Sequence, residues 1–256
     1  DSFYDGGKFM ENEKVLTQTK RMLDEGASFI DIGGASSKPC SDPVSPKEEI
    51  KRVIPVISTI LKSFPKAVIS IDTTSSLVAE KAVNSGAAIV NDISAGTNDK
   101  RMLETVASLG VPYIAMHMQG TPKTMQNNPT YQNVVTDVFA ALERFCNRAT
   151  QLGIEQLIID PGFGFGKTLS HNYQLLYLLE KFNSLGFPLL VGVSRKSMIQ
   201  QIVDVDAENA LNGTTVIHTI AAQKGASILR AHDVKEAVQV FQLVNYLMQQ
   251  ESTTIS

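Results

Sequence analysis

Leu157-Ile158-Ile159-Asp160-Pro161-Gly162-Phe163-Gly164-Phe165-Gly166-Lys167 is the stretch that decides how the chain reads. A short apolar run of this kind is a buried parallel strand. Pro161 stops it, because proline has no N–H to offer a ladder. Asp160 is thereby fixed at the strand's carboxyl end, where α/β folds place their ligands. Glycines at alternate positions let the loop bend sharply and lie against a flat partner, with Phe163 and Phe165 between them. Two phosphate motifs are excluded. Gly166-Lys167-Thr168 ends like a phosphate loop, but Pro161 stands where the earlier glycine is required, and the third glycine of a dinucleotide fingerprint would fall on Lys167. What remains is a carboxylate beside an aromatic, glycine-paved surface, suited to a planar ligand with N–H donors.

On either side of this strand, strands and helices alternate. Strands are predicted at Phe29-Ile30-Asp31-Ile32-Gly33-Gly34, Val68-Ile69-Ser70-Ile71-Asp72, Ala88-Ile89-Val90-Asn91-Asp92 and Tyr113-Ile114-Ala115-Met116-His117. Two more are predicted at Leu189-Leu190-Val191-Gly192-Val193-Ser194 and Ser227-Ile228-Leu229-Arg230. Helices are predicted near 12–25, from Pro46 onward, and at 75–85, 99–109, 133–152, 171–184, 207–224 and 233–249. Val134, Val138, Leu142 and Phe145 show the helical spacing clearly. Seven strand–helix units behind an opening helix predict an α/β fold, a (β/α)8 TIM barrel forming one domain over 1–256. Its first strand is expected immediately upstream of Asp1. An open doubly wound sheet is the alternative, and the absence of a glycine-rich dinucleotide turn argues against it.

Composition narrows the function. The 256 residues are 43% hydrophobic with a net charge of −3, so nothing points to nucleic acid or to an anionic membrane surface. Cys40 and Cys146 have neither metal nor redox spacing, which predicts a reduced, cytoplasmic protein. No apolar run approaches the roughly 20 residues of a membrane span, and no signal peptide is visible.

The strands end on Asp31, Asp72, Asn91-Asp92, His117, Asp160, Ser194-Arg195-Lys196 and Arg230-Ala231-His232-Asp233. In a barrel these gather at one mouth. Any single strand-end Asp is explained as a helix cap, the reading preferred for Asp92 and Asp233 and open for Asp31. Caps do not explain two arginines, a lysine and two histidines in the same set. The pattern is a binding mouth, but by itself it names no substrate.

The chain resembles the dihydropteroate synthase family over its whole length. The resemblance is carried by Asp1-Ser2-Phe3-Tyr4-Asp5-Gly6-Gly7, Asp31-Ile32-Gly33-Gly34, Ile71-Asp72-Thr73, Asn91-Asp92 and Met116-His117-Met118-Gln119-Gly120-Thr121-Pro122. It continues through the 160–167 loop, Ser194-Arg195-Lys196-Ser197 and Arg230-Ala231-His232-Asp233. It implies a pterin-binding barrel that joins 4-aminobenzoate to (7,8-dihydropterin-6-yl)methyl diphosphate in folate biosynthesis. It also implies a homodimer, Mg²⁺ and inhibition by sulfonamides. By the same resemblance Asp72, Asn91, Met116, Asp160, Lys196 and Arg230 bind the pterin, and Ser37, Arg230 and His232 take the diphosphate. Phe165, Lys196 and Ser197 line the aminobenzoate slot, and Lys196, Arg230 and His232 are catalytic. The family's metal-binding Asn falls a few residues before Asp1, so no metal ligand is assigned within the chain. Where most members read Glu-Ser-Thr-Arg-Pro-Gly, this chain has Ala35-Ser36-Ser37-Lys38-Pro39-Cys40, a point charge at Lys38 in place of a planar fork. The alternatives are a related pterin barrel that moves a methyl group from methyltetrahydrofolate to a corrinoid protein, and a catalytically inactive pterin binder.

Overall fold

The computed structural model describes residues 8–35 and 44–254. The expected order of elements is present: α1 (Lys8–Asp24), β1 (Ile30–Gly33), α2 (Pro46–Ser63), β2 (Ile69–Asp72), α3 (Ser76–Asn84), β3 (Ile89–Asp92), α4 (Met102–Leu109), β4 (Tyr113–Met116), α5 (Val134–Gln151) and β5 (Leu157–Asp160). There follow α6 (Leu169–Tyr177), a 3₁₀ helix (Leu179–Leu185), β6 (Leu190–Val191), α7 (Ser197–Val203), α8 (Leu211–Gln223), β7 (Ile228–Leu229) and α9 (Val234–Thr254). Strands β1 to β5 pair in parallel in chain order, an Ile159–Leu189 bridge links β5 to the next strand, and β6 pairs with β7. This is the parallel, curving sheet of a TIM barrel, with the helices outside it.

The period of two in each strand sorts its residues between two cores. One set, Ile69, Ile71, Val90, Tyr113, Ala115, Leu157, Ile159 and Val191, is buried against helix residues such as Val53, Ile57, Val78 and Leu142. The other set fills the barrel: Ile89, Ile114 and Leu190 pack with Phe29, Ile158 and Ile228. Two residues further along each strand, on the same face, come Asp31, Asp72, Asn91, Met116, Asp160, Gly192 and Arg230. The apolar plug thus carries a polar layer above it. That layer is the floor of the mouth.

The helices begin where local chemistry starts them. Ser45 accepts from the Glu48 N–H at 3.3 Å with Pro46 at the first position of α2. Asn133 accepts from the Val135 and Thr136 N–H groups, both at 3.1 Å, and Val134, Val138, Leu142 and Phe145 are buried beneath α5. Two helices differ from the expected layout. The helix predicted at 171–184 is α6 followed by a separate 3₁₀ segment, with a break at Leu178. The helix α7 was not predicted; seven residues are too few for a clear apolar period. The described residues contain the seven expected strands. β1 and β7 each have one hydrogen-bonded neighbour, and between them lies a cavity of about 330 Å³ lined by Phe29, Ile30, Leu229, Val234, Val238 and Phe241.

One buried knot fixes the β3–β4 corner beside the mouth. Asp92, on the helix-facing side, accepts from the Ser94 N–H and O–H at 2.7 Å each, the Gly96 N–H at 2.8 Å and the Tyr113 hydroxyl at 2.6 Å. It holds the 94–96 turn and not the start of α4, whose N-cap position is Arg101, so the helix-cap expectation for Asp92 is corrected while the residue still lies off the mouth. Tyr113→Phe leaves that carboxylate short of a donor and lowers the unfolding free energy by about 1–3 kcal/mol. A denaturant melt checks this, and an unchanged midpoint contradicts it.

Candidate active site

Strand pairing brings the polar layer together. Asp72 pairs in register with Asn91, and Met116 with Asp160, so each pair shares a face. Arg230 Nε donates to Asp31 Oδ2 at 2.8 Å, and its Nη2 lies 3.6 Å from Asp72 Oδ2. Asn91 Nδ2 donates to the same Asp31 oxygen at 3.2 Å, which leaves the Asn91 carbonyl oxygen to accept. β6 supplies a glycine to this layer, and the space is used. A Cβ on Gly192 would lie 3.7 Å from Arg230 Cβ and 3.9 Å from Lys196 Nζ. The Lys196 ammonium therefore reaches back from the β6 loop over the barrel axis, between Arg230 and the β5 end.

The loop after β5 is laced down by side chains. Lys167 Nζ donates to Gly162 O at 2.9 Å and Phe165 O at 3.0 Å, and Lys196 Nζ to Phe163 O at 2.7 Å. Gln126 donates to Gly164 O at 2.6 Å and the Tyr131 hydroxyl to Gly166 O at 2.7 Å. All five carbonyls from 162 to 166 are held. Two glycines are required by close approach: Gly162 (φ 73°) sits against the His117 carbonyl, and a Cβ on Gly166 (φ 62°) would lie 2.6 Å from Gln119 O. Phe163 corrects the expectation of two aromatics on the surface, because its side chain is fully buried in the helix-side core. Phe165 alone faces the mouth, with Lys196 Nζ 4.7 Å from its ring centroid.

Charges in the mouth perturb one another. Burial raises the Asp160 pKa, while Lys196, the Gly162 N–H (2.7 Å from Oδ1), Lys167 and Arg230 favour the carboxylate. Burial lowers Lys196 to about 8, against the pull of Asp160. Asp72 is raised by burial and by Asp31, with Arg230 opposing. Burial and then Arg230 lower His232, whose backbone N–H donates to Ser194 Oγ at 3.2 Å while its Nδ1 lies 2.9 Å from the same oxygen. Ser194 satisfies both by donating to Nδ1, which leaves an Nε2–H on the imidazole.

The expected residues divide as follows. Asp72, Asn91, Met116, Asp160, Lys196 and Arg230 stand on one rim, with Phe165 and His232 beside it. Ser197 starts α7 and is exposed, and no side-chain bond ties it to the mouth among the described residues. Ser37 and Lys38 lie outside the described residues, as does the 1–7 motif. Two strand-end groups turn away from the mouth. Arg195 makes a bidentate pair with Asp233, 2.8 Å to each oxygen, and donates to the Ala207 and Glu208 carbonyls. Asp233 is thus an ion-pair partner rather than the helix cap expected of it. His117, one residue past Met116, faces Lys167 and is lowered to about 3, by burial first and then by that ammonium. Sequence reasoning placed Asp31 at a strand end but gave it no role; it grips both Arg230 and Asn91, and counting two residues from Phe29 puts it on their face. Gln126 and Tyr131 carry no such signal.

Gly162→Ala drives a methyl group into the His117 carbonyl from a left-handed backbone, so the loop must lift. The expected cost is about 2 kcal/mol or more of stability, together with weaker ligand binding at Asp160. Calorimetry of the variant tests this, and a wild-type melting temperature contradicts it.

The pterin binding enzyme family matches residues 1–232 of the chain. Dihydropteroate synthase of Haemophilus influenzae is 47% identical over 236 residues, 91% of this chain and 85% of that relative. A crystal structure of Yersinia pestis dihydropteroate synthase with a sulfonamide drug complex superposes with a TM-score of 0.90 at 40% identity, covering 98% of this chain and 90% of that one. The Thermus thermophilus dihydropteroate synthase in complex with 4-aminobenzoate gives 0.85 at 38% identity, covering 91% and 89%. With this agreement along nearly all of its length, the chain belongs to the pterin-binding enzymes, and within them to the dihydropteroate synthases.

Proposed function

We propose that the protein is a transferase that joins 4-aminobenzoate to (7,8-dihydropterin-6-yl)methyl diphosphate, giving 7,8-dihydropteroate and diphosphate for folate biosynthesis. The observation that carries this reading is the single rim holding a buried carboxylate, Asp160, with two cations, Lys196 and Arg230, on either side of Gly192. Asp160 accepts the paired N–H donors of the pterin's pyrimidine edge, because a carboxylate is acceptor-only and matches them two to two. The Asn91 carbonyl and Asp72 complete that edge, and Met116, 4% exposed beside Asp160, is its apolar floor. Lys196 has three donors and spends one on Phe163 O, which leaves two for the ring oxygen and nitrogen opposite.

In the chemical step the aminobenzoate nitrogen lone pair forms a bond to the pterin methylene carbon. The carbon–oxygen bond breaks, and its electrons leave with the diphosphate. The new N–C bond carries an extra proton, which passes to water or to the departing diphosphate. No strong base is needed beforehand, since an aniline is neutral near pH 7. The barrier falls because Arg230 and the His232 Nε2–H meet charge developing on the leaving oxygens in a mouth already organised to hold it. Phe165, with Lys196 above its ring, forms one wall of the aminobenzoate slot, and Ser197 and the Ser37 loop belong to the reading on resemblance alone. A sulfonamide competes for that slot.

Magnesium enters this reading only with the diphosphate. Among the described residues no group of three or more His, Cys, Asp or Glu could hold a metal ion, and Asp31 and Asp72 are both engaged by Arg230. None of the steps above passes through a metal ion. The reading includes a homodimer in the cytoplasm. Supporting the dimer, Ile202, Val203, Val216, Leu243, Tyr246 and Leu247 leave large apolar side chains exposed on α7, α8 and α9. No helix of the described residues is long and apolar enough to cross a membrane.

The test is aminobenzoate-dependent release of diphosphate by the wild type and by Lys196→Ala, for which a fall of about a thousandfold in kcat/KM is expected. For the wild type, kcat/KM for the pterin diphosphate should decline as pH rises through about 8, because the ammonium is present below that value and lost above it. Methyl transfer in place of diphosphate release, near-normal turnover by the variant, or a profile flat to about pH 10 contradicts the assignment.

A further inference from the structure

Lys167 has no part in the chemistry above, yet it is among the most buried charged residues of the chain, 3% exposed. Four acceptors surround its amine: Gly162 O at 2.9 Å, Phe165 O at 3.0 Å, His117 Nδ1 at 3.1 Å and His117 O at 3.3 Å. No donor faces it, so the shell favours the protonated amine against burial, which lowers Lys167 to about 7, and an imidazole whose proton sits on Nε2. Two of these acceptors belong to the glycine loop and two to the residue that follows β4. The amine therefore joins the β5 loop to the end of the neighbouring strand. Thr168, the next residue, caps α6 by accepting from the His171 N–H at 3.2 Å, so the backbone on the far side of Lys167 is anchored as well.

We propose that Lys167 is a positioning residue: its ammonium sets where the 162–166 loop lies, and through the Phe165 carbonyl it sets the height of the Phe165 ring in the aminobenzoate slot. Asp160 lies on the strand side of this clamp and has its own anchor in the Gly162 N–H. The Phe165 carbonyl is held by Lys167 alone among the described side chains, although Lys196 lies over its ring and Gln126 and Tyr131 hold the carbonyls on either side. The Phe165 N–H returns to Gly162 O, which is another atom of the same loop. Losing the amine removes the side-chain bond to the Phe165 carbonyl directly, whereas Asp160 keeps its bond to the Gly162 N–H. The inference rests on the proposed reaction only in naming aminobenzoate as the occupant of the slot.

The experiment compares wild type with Lys167→Met, nearly isosteric but without donors, and Lys167→Gln, which keeps one donor arm. The expected result for Lys167→Met is an aminobenzoate KM raised about tenfold or more, while affinity for a pterin analogue lacking the diphosphate changes less than about threefold. Lys167→Gln should fall between the two. An unchanged aminobenzoate KM, or equal losses for both ligands, overturns the proposal, and failure of both variants to fold overturns it in favour of a purely structural amine. A wild type without aminobenzoate-dependent turnover instead sinks the proposed reaction, which separates the two failures.

Discussion

The arrangement depends on keeping one carboxylate ionised in a place that resists ionisation. Asp160 sits at the top of an apolar plug formed by Ile89, Ile114, Ile158, Leu190 and Ile228. Burial there favours the protonated acid, and a protonated acid offers one oxygen where two are needed. Lys196, the Gly162 N–H, Lys167 and Arg230 oppose that effect. Two further N–H donors on the edge of a planar ligand would tip the balance toward the carboxylate. Recognition and ionisation are thus one equilibrium, and the ligand completes what the cations begin.

The same cations serve a second purpose. A loop with three glycines in five residues loses much conformational freedom when ordered, and glycine offers no side chain to hold it. Here the ordering comes from outside: two lysines, a glutamine and a tyrosine take up its carbonyls in sequence. Lys196 is common to the loop and to the rim, so the position of Phe165 and the position of the rim ammonium are set together. Across the mouth, Arg195 holds a left-handed backbone (φ 55°) and grips Asp233, which ties the segment bearing Lys196 to the one bearing His232. Strain of that kind persists where several bonds over-determine the geometry.

Much of this was legible in the residues. Seven strands were placed because each is a short apolar run ended by a polar residue, and the barrel followed from their alternation with helices. The rim was visible as a list of strand-end residues, but the list mixed two faces. Asp31, Asp72, Asn91, Asp160 and Arg230 lie two residues above the plug, whereas Asp92 and His117 lie one residue off and face the helices. Parity along the strand carries that distinction, and applying it recovers Asp31 and removes Asp92. What parity does not reach are side chains arriving from loops. Lys196 filling the space above Gly192, Lys167 binding the glycine loop, and Gln126 and Tyr131 crossing from the β4 loop all depend on tertiary approach. Phe163 misleads for the same reason: alternating with glycine, it has the pattern of a paved surface, yet it turns into the core.

Calorimetric titration of a pterin analogue into Asp160→Asn tests the central claim most directly, since the amide keeps the size of the side chain and replaces one acceptor with a donor facing the ligand's own N–H. The account predicts binding weaker by about thirtyfold or more, with the fold intact. Affinity within about twofold of wild type would mean that the heterocycle is held elsewhere, and would contradict the account.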